Sequence, residues 1–346
     1  MLIFTKLQQL RVHPDLIQLP HLVARLNRGL HRKVTLISAQ AGAGKTTLMA
    51  QWLEEAPDAG AWLSLDMHDN DLALFVGYLC AAVHTVYPDA CGEINTLFHA
   101  AQTPPARVLL SSFVNQLTAY FEEHFPAEGG AAGGRRLLIA LDDFHHITDP
   151  AIHAFINDLI AYLPPQVHLA LATRTDPLLP LARLRARGDL SELRTSDLRF
   201  SLQEAGTLLQ LTLGRRLSHA TVDLLEEATE GWAVGLRLAG LSLRHTPDVA
   251  RYAAQFKETS SAVIVDYLAD EVLAHQPSDV RDFLLTTSIL DRFNAELCAA
   301  LLQDGAQARE LLSEVNQANL FLVPLDPVGD WFRYHHLFCD LLQALL

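Results

Sequence analysis

Val34-Thr35-Leu36-Ile37-Ser38-Ala39-Gln40-Ala41-Gly42-Ala43-Gly44-Lys45-Thr46-Thr47 is the stretch on which the fold turns. Its first five residues are mostly apolar and partly β-branched, the composition of a short buried strand. Gly42 and Gly44 then let the backbone turn its N–H groups inward, and Leu48, Trp52 and Leu53 follow at helical spacing. Strand, glycine-bearing turn, Lys-Thr and helix in that order make a P-loop, an anion-binding nest at the positive end of a helix. Lys45 supplies a mobile point charge for phosphate oxygens and Thr46 a hydroxyl for Mg2+; Gly42, Ala43, Gly44 and Thr47 complete the cradle. Ala39 stands where the usual pattern has its first glycine, so the match is a relaxed one.

Outward from this turn, residues 61–65, 137–141 and 167–172 read as further buried strands, with helical segments around 71–86, 106–124 and 151–162. The alternation implies an α/β fold, a P-loop parallel sheet with helices on both faces. Such sheets bind ligands at the carboxyl ends of their strands. The run Leu137 to Leu141 ends in Asp142-Asp143, placing Asp142 to hold Mg2+ and Asp143 to orient or deprotonate an attacking water. Both are free for this chemistry because Asp149-Pro150 is the better-placed cap of the next helix. The strand 167–172 runs into Thr173-Arg174-Thr175-Asp176-Pro177; if it lies beside the acidic strand, Arg174 falls near a γ-phosphate.

The chain has 346 residues, half of them hydrophobic, and a formal net charge of −14. That length accommodates two or three domains, and the charge argues against broad nucleic-acid binding by this chain. Cys80, Cys91, Cys298 and Cys339 form no C-x-x-C pair and read as packed thiols. With no signal peptide and no apolar run of membrane-spanning length, the expected compartment is the cytoplasm. Residues 126–134 read as a flexible loop inside the α/β region. From 202 to 275 the pattern is of successive amphipathic helices, with Leu208, Leu209, Leu211, Leu236, Leu238 and Leu241 as buried candidates. Helices from Pro277, then a strand at 320–325 and a turn at 326–330, suggest a small winged-helix domain. The expected division is therefore 1–200 for the nucleotide-binding α/β domain, 201–276 for an all-helical domain and 277–346 for the winged helix.

Taken together, Ala-Gly-Ala-Gly-Lys-Thr-Thr (41–47), Leu-Ser-Leu-Asp (63–66), Leu-Asp-Asp-Phe-His (141–145), Thr-Arg-Thr-Asp-Pro (173–177), Glu-Gly-Trp-Ala (230–233) and Arg-Tyr-His-His-Leu-Phe (333–338) resemble the STAND-class signalling NTPases, in particular the MalT-like, large LuxR-type transcription regulators. The resemblance implies a switch that clamps ADP at rest and exchanges it for ATP to expose surfaces for self-association. It also implies a slow ATPase, a nucleotide-dependent homo-oligomer, and DNA contact only through a C-terminal domain absent from this chain. The winged-helix histidine of that class touches the nucleotide phosphate; His335 takes that role here, with His336 as the alternative. Gly231-Trp232-Ala233 stands where the wider class has Gly-x-Pro, and Leu19 where MalT-like proteins tend to carry Arg. The rival readings are a P-loop metabolic or motor enzyme, such as a small-molecule kinase or a helicase, and a non-hydrolysing scaffold.

Overall fold

The computed structural model describes residues 2–11, 16–56, 59–92, 104–125, 135–244, 246, 249–256, 262–326 and 329–346. The loop expected at 126–134 lies outside them. Two compact units are present: Met1–His13, Gln18–Ser38 and Lys45–Arg194 form one, and Pro14–Ile17, Ala39–Gly44 and Thr195–Leu346 form the other.

The first unit is a five-stranded parallel sheet in the order β2-β3-β4-β1-β5. The strands are β1 (Val34–Ser38), β2 (Ala59–Ser64), β3 (Leu137–Asp142), β4 (Val167–Thr173) and β5 (Leu190–Arg194). Every residue of β1, β3 and β4 is buried, as near-continuous apolar runs require in a sheet covered on both faces. Its helices are α1 (Pro20–Gly29), α2 (Lys45–Glu55), α3 (Leu72–Val86), α4 (Ala106–His124), α5 (Pro150–Tyr162) and α6 (Leu181–Arg187). Leu36, Leu63, Phe75, Phe113, Ile139, Leu141 and Leu171 sit in its fully enclosed core.

Two side-chain caps start helices of this unit, the second at the Asp149-Pro150 pair that the sequence singles out. The Asp71 carboxylate accepts from the Leu74 amide to start α3, and Asp149 accepts from Ala151 to start α5, with Pro150 at the first helical position. β5 is a strand that the sequence pattern does not reveal. Its Leu-Ser-Glu-Leu-Arg carries charge because it is an edge strand, paired to β1 alone. One buried polar pair crosses the sheet interior: the Thr35 hydroxyl meets His168 Nε2 at 2.9 Å, while His168 Nδ1 donates to the Arg32 carbonyl at 2.8 Å. Burial pushes the His168 imidazole down to about 4.

The second unit is helical. It contains α7 (Leu202–Leu213), α8 (His219–Thr229), α9 (Ala233–Leu243), α10 (Val249–Phe256) and α11 (Ala262–Glu271), then α12 (Ser278–Thr287), α13 (Ala295–Leu302), α14 (Gly305–Gln317) and α15 (His336–Leu345). Between α14 and α15 lies the antiparallel hairpin β6 (Leu322–Pro324) and β7 (Phe332–Tyr334), shorter than the strand expected at 320–325. Phe293 bridges to Phe332, and the Tyr334 hydroxyl meets Thr287 Oγ1 at 2.7 Å, tying the hairpin to α12. This arrangement of three helices, hairpin and helix is a winged helix. Leu208, Leu209 and Leu236 are buried as expected and Leu238 is half-buried, but Leu211 and Leu241 are exposed.

Candidate functional site

At the carboxyl ends of β1, β3 and β4, the first unit gathers a charged cluster. The register pairs Ser38 with Thr173, so the ends of β1 and β4 are level, and β4 lies next to β3. Asp142 closes β3 and is buried; Thr46 Oγ1 donates to its Oδ1 at 3.1 Å. Lys45 is buried at the start of α2. Burial, helped by the Arg174 charge, pushes the Lys45 ammonium down to about 8 against the pull of Asp143 and Asp142. Burial and the neighbouring Asp143 carboxylate push Asp142 up to about 7, although the Thr46 hydrogen bond opposes them. Two opposite charges enclosed in this way are costly to the fold, and strongly shifted titrating groups gathered at strand ends are a common signature of a functional site.

Asp143 follows with φ of 54°, a left-handed conformation that breaks the strand and turns the chain away. Its side chain caps no helix and stays 41% exposed, 3.8 Å from His145 Nδ1. That nitrogen is buried with no hydrogen-bond partner among the described residues, and burial, with His146, Arg174 and Lys45 adding to it, holds the His145 imidazole far below its ordinary value. Asn70, absent from the sequence-derived site, fixes the segment after Asp143. Its side-chain oxygen accepts from the Thr148 and Asp149 amides at 2.7 and 3.0 Å, and its nitrogen donates to the His146 carbonyl. At the far end of the cluster, Asp176 takes the Ser38 hydroxyl at 2.9 Å and pairs with Arg194. Arg185 of α6 forks onto Glu192 at 2.6 and 2.8 Å.

A second cluster lies in the helical unit, joined to the first in sequence through the Gly44–Lys45 peptide. Gly42 and Gly44 have φ of 69° and 86°, the positive values that an inward-facing amide nest demands. A cleft is lined by Gln40, Ala43, Arg199, Glu230, Trp232 and His335, among others. The Trp232 indole N–H donates to the Ala41 carbonyl at 3.0 Å, and the Val234 amide donates to the Gly42 carbonyl at 3.2 Å. His335 donates from Nε2 to the Thr229 carbonyl at 3.0 Å. Its Nδ1 is buried and has no hydrogen-bond partner among the described residues, and burial lowers the imidazole to about 4.

Glu230 ends α8 in a left-handed conformation. Its carboxylate receives a two-pronged bond from Arg333 at 2.7 and 3.0 Å, with Arg199 and His336 each 3.3 Å away. Burial alone would raise this carboxyl, but the His336 and Arg333 hydrogen bonds outweigh it and hold it well below the usual range. Glu230, His335 and His336 offer three ligand atoms within 4.8 Å of one another, a spacing compatible with a metal ion. Two guanidinium groups already claim the carboxylate, however, so the cluster suits an anion better than a cation. His336 Nε2 is also buried with no hydrogen-bond partner among the described residues.

For a divalent cation, the Thr46 hydroxyl and the Asp142 carboxylate fit: a hard-oxygen pair, already in contact, beside a buried lysine. The sequence-derived residues thus fall into two groups. Lys45, Thr46, Asp142, Asp143 and Arg174 gather in one, with Thr47 on the same first turn of α2, while Gly42, Ala43, Gly44 and His335 belong to the other. Glu230, Trp232 and Arg333 stand out in the sequence only as motif residues without a site role, and Asn70 and Arg199 do not stand out as site residues at all.

Residues 269–346 match the MalT winged helix domain family. The chain is 32% identical over 324 residues to the HTH-type transcriptional regulator MalT of Cronobacter sakazakii, covering 93% of this chain and 34% of that protein. It is 29% identical over 334 residues to the MalT of Vibrio parahaemolyticus, covering 96% and 35%. It thus spans about a third of the length of the curated relatives it matches. Among solved structures, the Walker-type ATPase PABY2304 of Pyrococcus abyssi aligns with a TM-score of 0.56 at 13% identity, covering 93% of this chain and 94% of that one, a likeness of fold. Among the described residues, no helix is long and apolar enough to cross a membrane.

Proposed function

From the premise that this chain is a MalT-like P-loop NTPase with a MalT winged helix at residues 269–346, we propose that it is a nucleotide switch. In this proposal it binds ADP or ATP with Mg2+ and hydrolyses ATP slowly, and the identity of the nucleotide governs self-association and, in the full-length regulator, transcription. The observation that carries the reading is the contact of Thr46 with buried Asp142, beside a buried Lys45 of depressed basicity. The working division of the chain is 1–200, 201–276 and 277–346.

Each residue has a definite task. The amides of the 42–47 turn and the Lys45 ammonium bind the phosphates. Thr46 and Asp142 would hold the Mg2+, which when bound neutralises charge across the phosphate tail. Asp143, exposed and turned out of the strand, orients the attacking water. Arg174, whose charge already acts on Lys45 and His145, reports the γ-phosphate. His335 is the lock on the resting form: its Nε2 is anchored to Thr229, leaving Nδ1 to meet the diphosphate.

Calorimetric titration of nucleotide-free protein with Mg-ADP and Mg-ATP tests the reading. Lys45→Ala should weaken both affinities by roughly 100-fold, the effect of leaving phosphate charge poorly compensated. Unchanged affinity would remove Lys45 from the site. Steady-state turnover distinguishes the rivals: many rounds per second onto a defined acceptor would point to a metabolic or motor enzyme. Phosphate release undiminished in Asp143→Ala would leave that residue a purely structural part.

A further inference from the structure

Trp232 has a buried ring and an N–H group, and the structure assigns a use to each. We propose that Trp232 is the positioning residue of the phosphate cradle and that its ring couples the cradle to the winged helix; the inference rests on the nucleotide-binding reading above. In a trans peptide the carbonyl and the following N–H lie in one plane and point in opposite directions. Tying the Ala41 carbonyl to the Trp232 indole N–H therefore turns the Gly42 N–H the other way. Tying the Gly42 carbonyl to the Val234 amide does the same for the Ala43 N–H. The first turn of α9 thus holds two peptide planes of the turn by their carbonyl ends and turns the Gly42 amide away for an anion, while the Ala43 amide closes the turn with a long bond to the Gln40 carbonyl at 3.4 Å.

The fit on that side is close. A Cβ on Gly42 would fall 2.7 Å from Val234 Cγ2 and 3.1 Å from Trp232 Nε1. Gly42 is therefore required twice, for its positive φ and for this approach. A Cβ on Gly44 would meet nothing within 4 Å among the described residues, so that glycine is required for φ alone.

The other face of the indole looks toward the winged helix. Its ring lies edge-on to Phe321 at 5.1 Å and near His335 at 6.2 Å, and Phe321 stacks on Phe338 of α15 at 5.2 Å. Phe321 is held at φ of 56°, a strained conformation for a bulky side chain, and its carbonyl accepts from the His335 amide at 2.8 Å. A change in the peptide planes at 41–43 therefore reaches the histidine proposed as the lock through one side chain. A tryptophan with only a packing role would also need an acceptor for its N–H, so the test must separate packing from positioning.

Trp232→Phe keeps a ring and deletes the donor. Mg-ADP and Mg-ATP affinities, measured by calorimetry well below the melting temperature, should fall about 3- to 10-fold, the scale of one lost hydrogen bond. Hydrogen exchange at the amides of residues 42–46 should quicken in the nucleotide-bound protein. If Trp232→Phe does not fold, benzothienylalanine at position 232 preserves the bicyclic ring, replaces N–H by sulfur, and carries the same expectation. A variant that melts earlier but binds both nucleotides as the parent does would overturn the positioning role. A parent protein that binds neither nucleotide would overturn the functional reading itself, a separate failure.

Discussion

Asp142 and Lys45 are each held near the point of changing charge, one pushed up to about 7 and the other down to about 8. The sign for Asp142 follows from its direction. The native carboxyl keeps a proton that the unfolded chain releases from about pH 4 upward, so its stabilising contribution is present in acid and is lost as pH rises through about 7. Asp142→Asn should accordingly melt higher than the parent at pH 8 when free of nucleotide, with the gap closing toward pH 4.5. The same variant should lose the gain in nucleotide affinity that Mg2+ confers. Melting curves at the two pH values and titrations with and without Mg2+ check both halves; a lower melt at pH 8 would reject the buried-charge account. The position of Asp142 at the end of a buried strand was legible in sequence because a carboxylate ending an apolar run is a local pattern. Asn70 was not, since the three residues it fixes after Asp143 lie 76 to 79 positions away and its one local partner, the Met67 carbonyl, says nothing of them.

Among the elements, the caps and buried strands were readable and the edges were not. Asp71 and Asp149 announce their helices because capping needs only adjacent residues. Removing the side chain in Asp71→Ala should cost about 1 kcal/mol, seen as a lower denaturation midpoint with an unchanged slope. β5 escaped because an edge strand tolerates charge, so its Glu and Arg obscure the alternation. Leu211 and Leu241 were misplaced for a geometric reason. Leu209 and Ala239 face the core, and two residues further along a helix is about 200° of rotation, onto the opposite side. The Glu230–Arg333 fork joins the end of α8 to β7 across 103 positions, which no periodicity reveals. Glu230→Gln keeps the shape and discards the charge; it should lower the melting temperature by several degrees, whereas a surface exchange such as Glu310→Gln should leave it within about a degree.

For the molecule as a whole, the proposed nucleotide binding would be linked to folding by mass action. Mg-ADP at one hundred times its dissociation constant should stabilise the chain by about 2.7 kcal/mol, and a smaller shift in the melting curve would mean that ADP also binds the unfolded chain or binds weakly. His335→Ala should loosen ADP and promote self-association, read by light scattering after size exclusion; if affinity and mass both stay put, the lock lies elsewhere. The parallel sheet and the winged helix could be read from local runs and turns. The grouping of Ala39–Gly44 with the helical unit could not, because it depends on α9 meeting the turn across almost two hundred residues.

Three imidazoles sit enclosed and uncharged: His168 between Thr35 and the Arg32 carbonyl, His335 against Thr229, and His145 beside the acidic strand. Each resists protonation in place and takes a proton freely once the chain opens, whereas Asp142 gives one up. Between about pH 4 and 6.5 these four groups alone make unfolding absorb up to two protons net, three gained less one released. Mild acidification then acts on this chain as a ligand for its denatured form, with a dose response steeper than any one histidine would give.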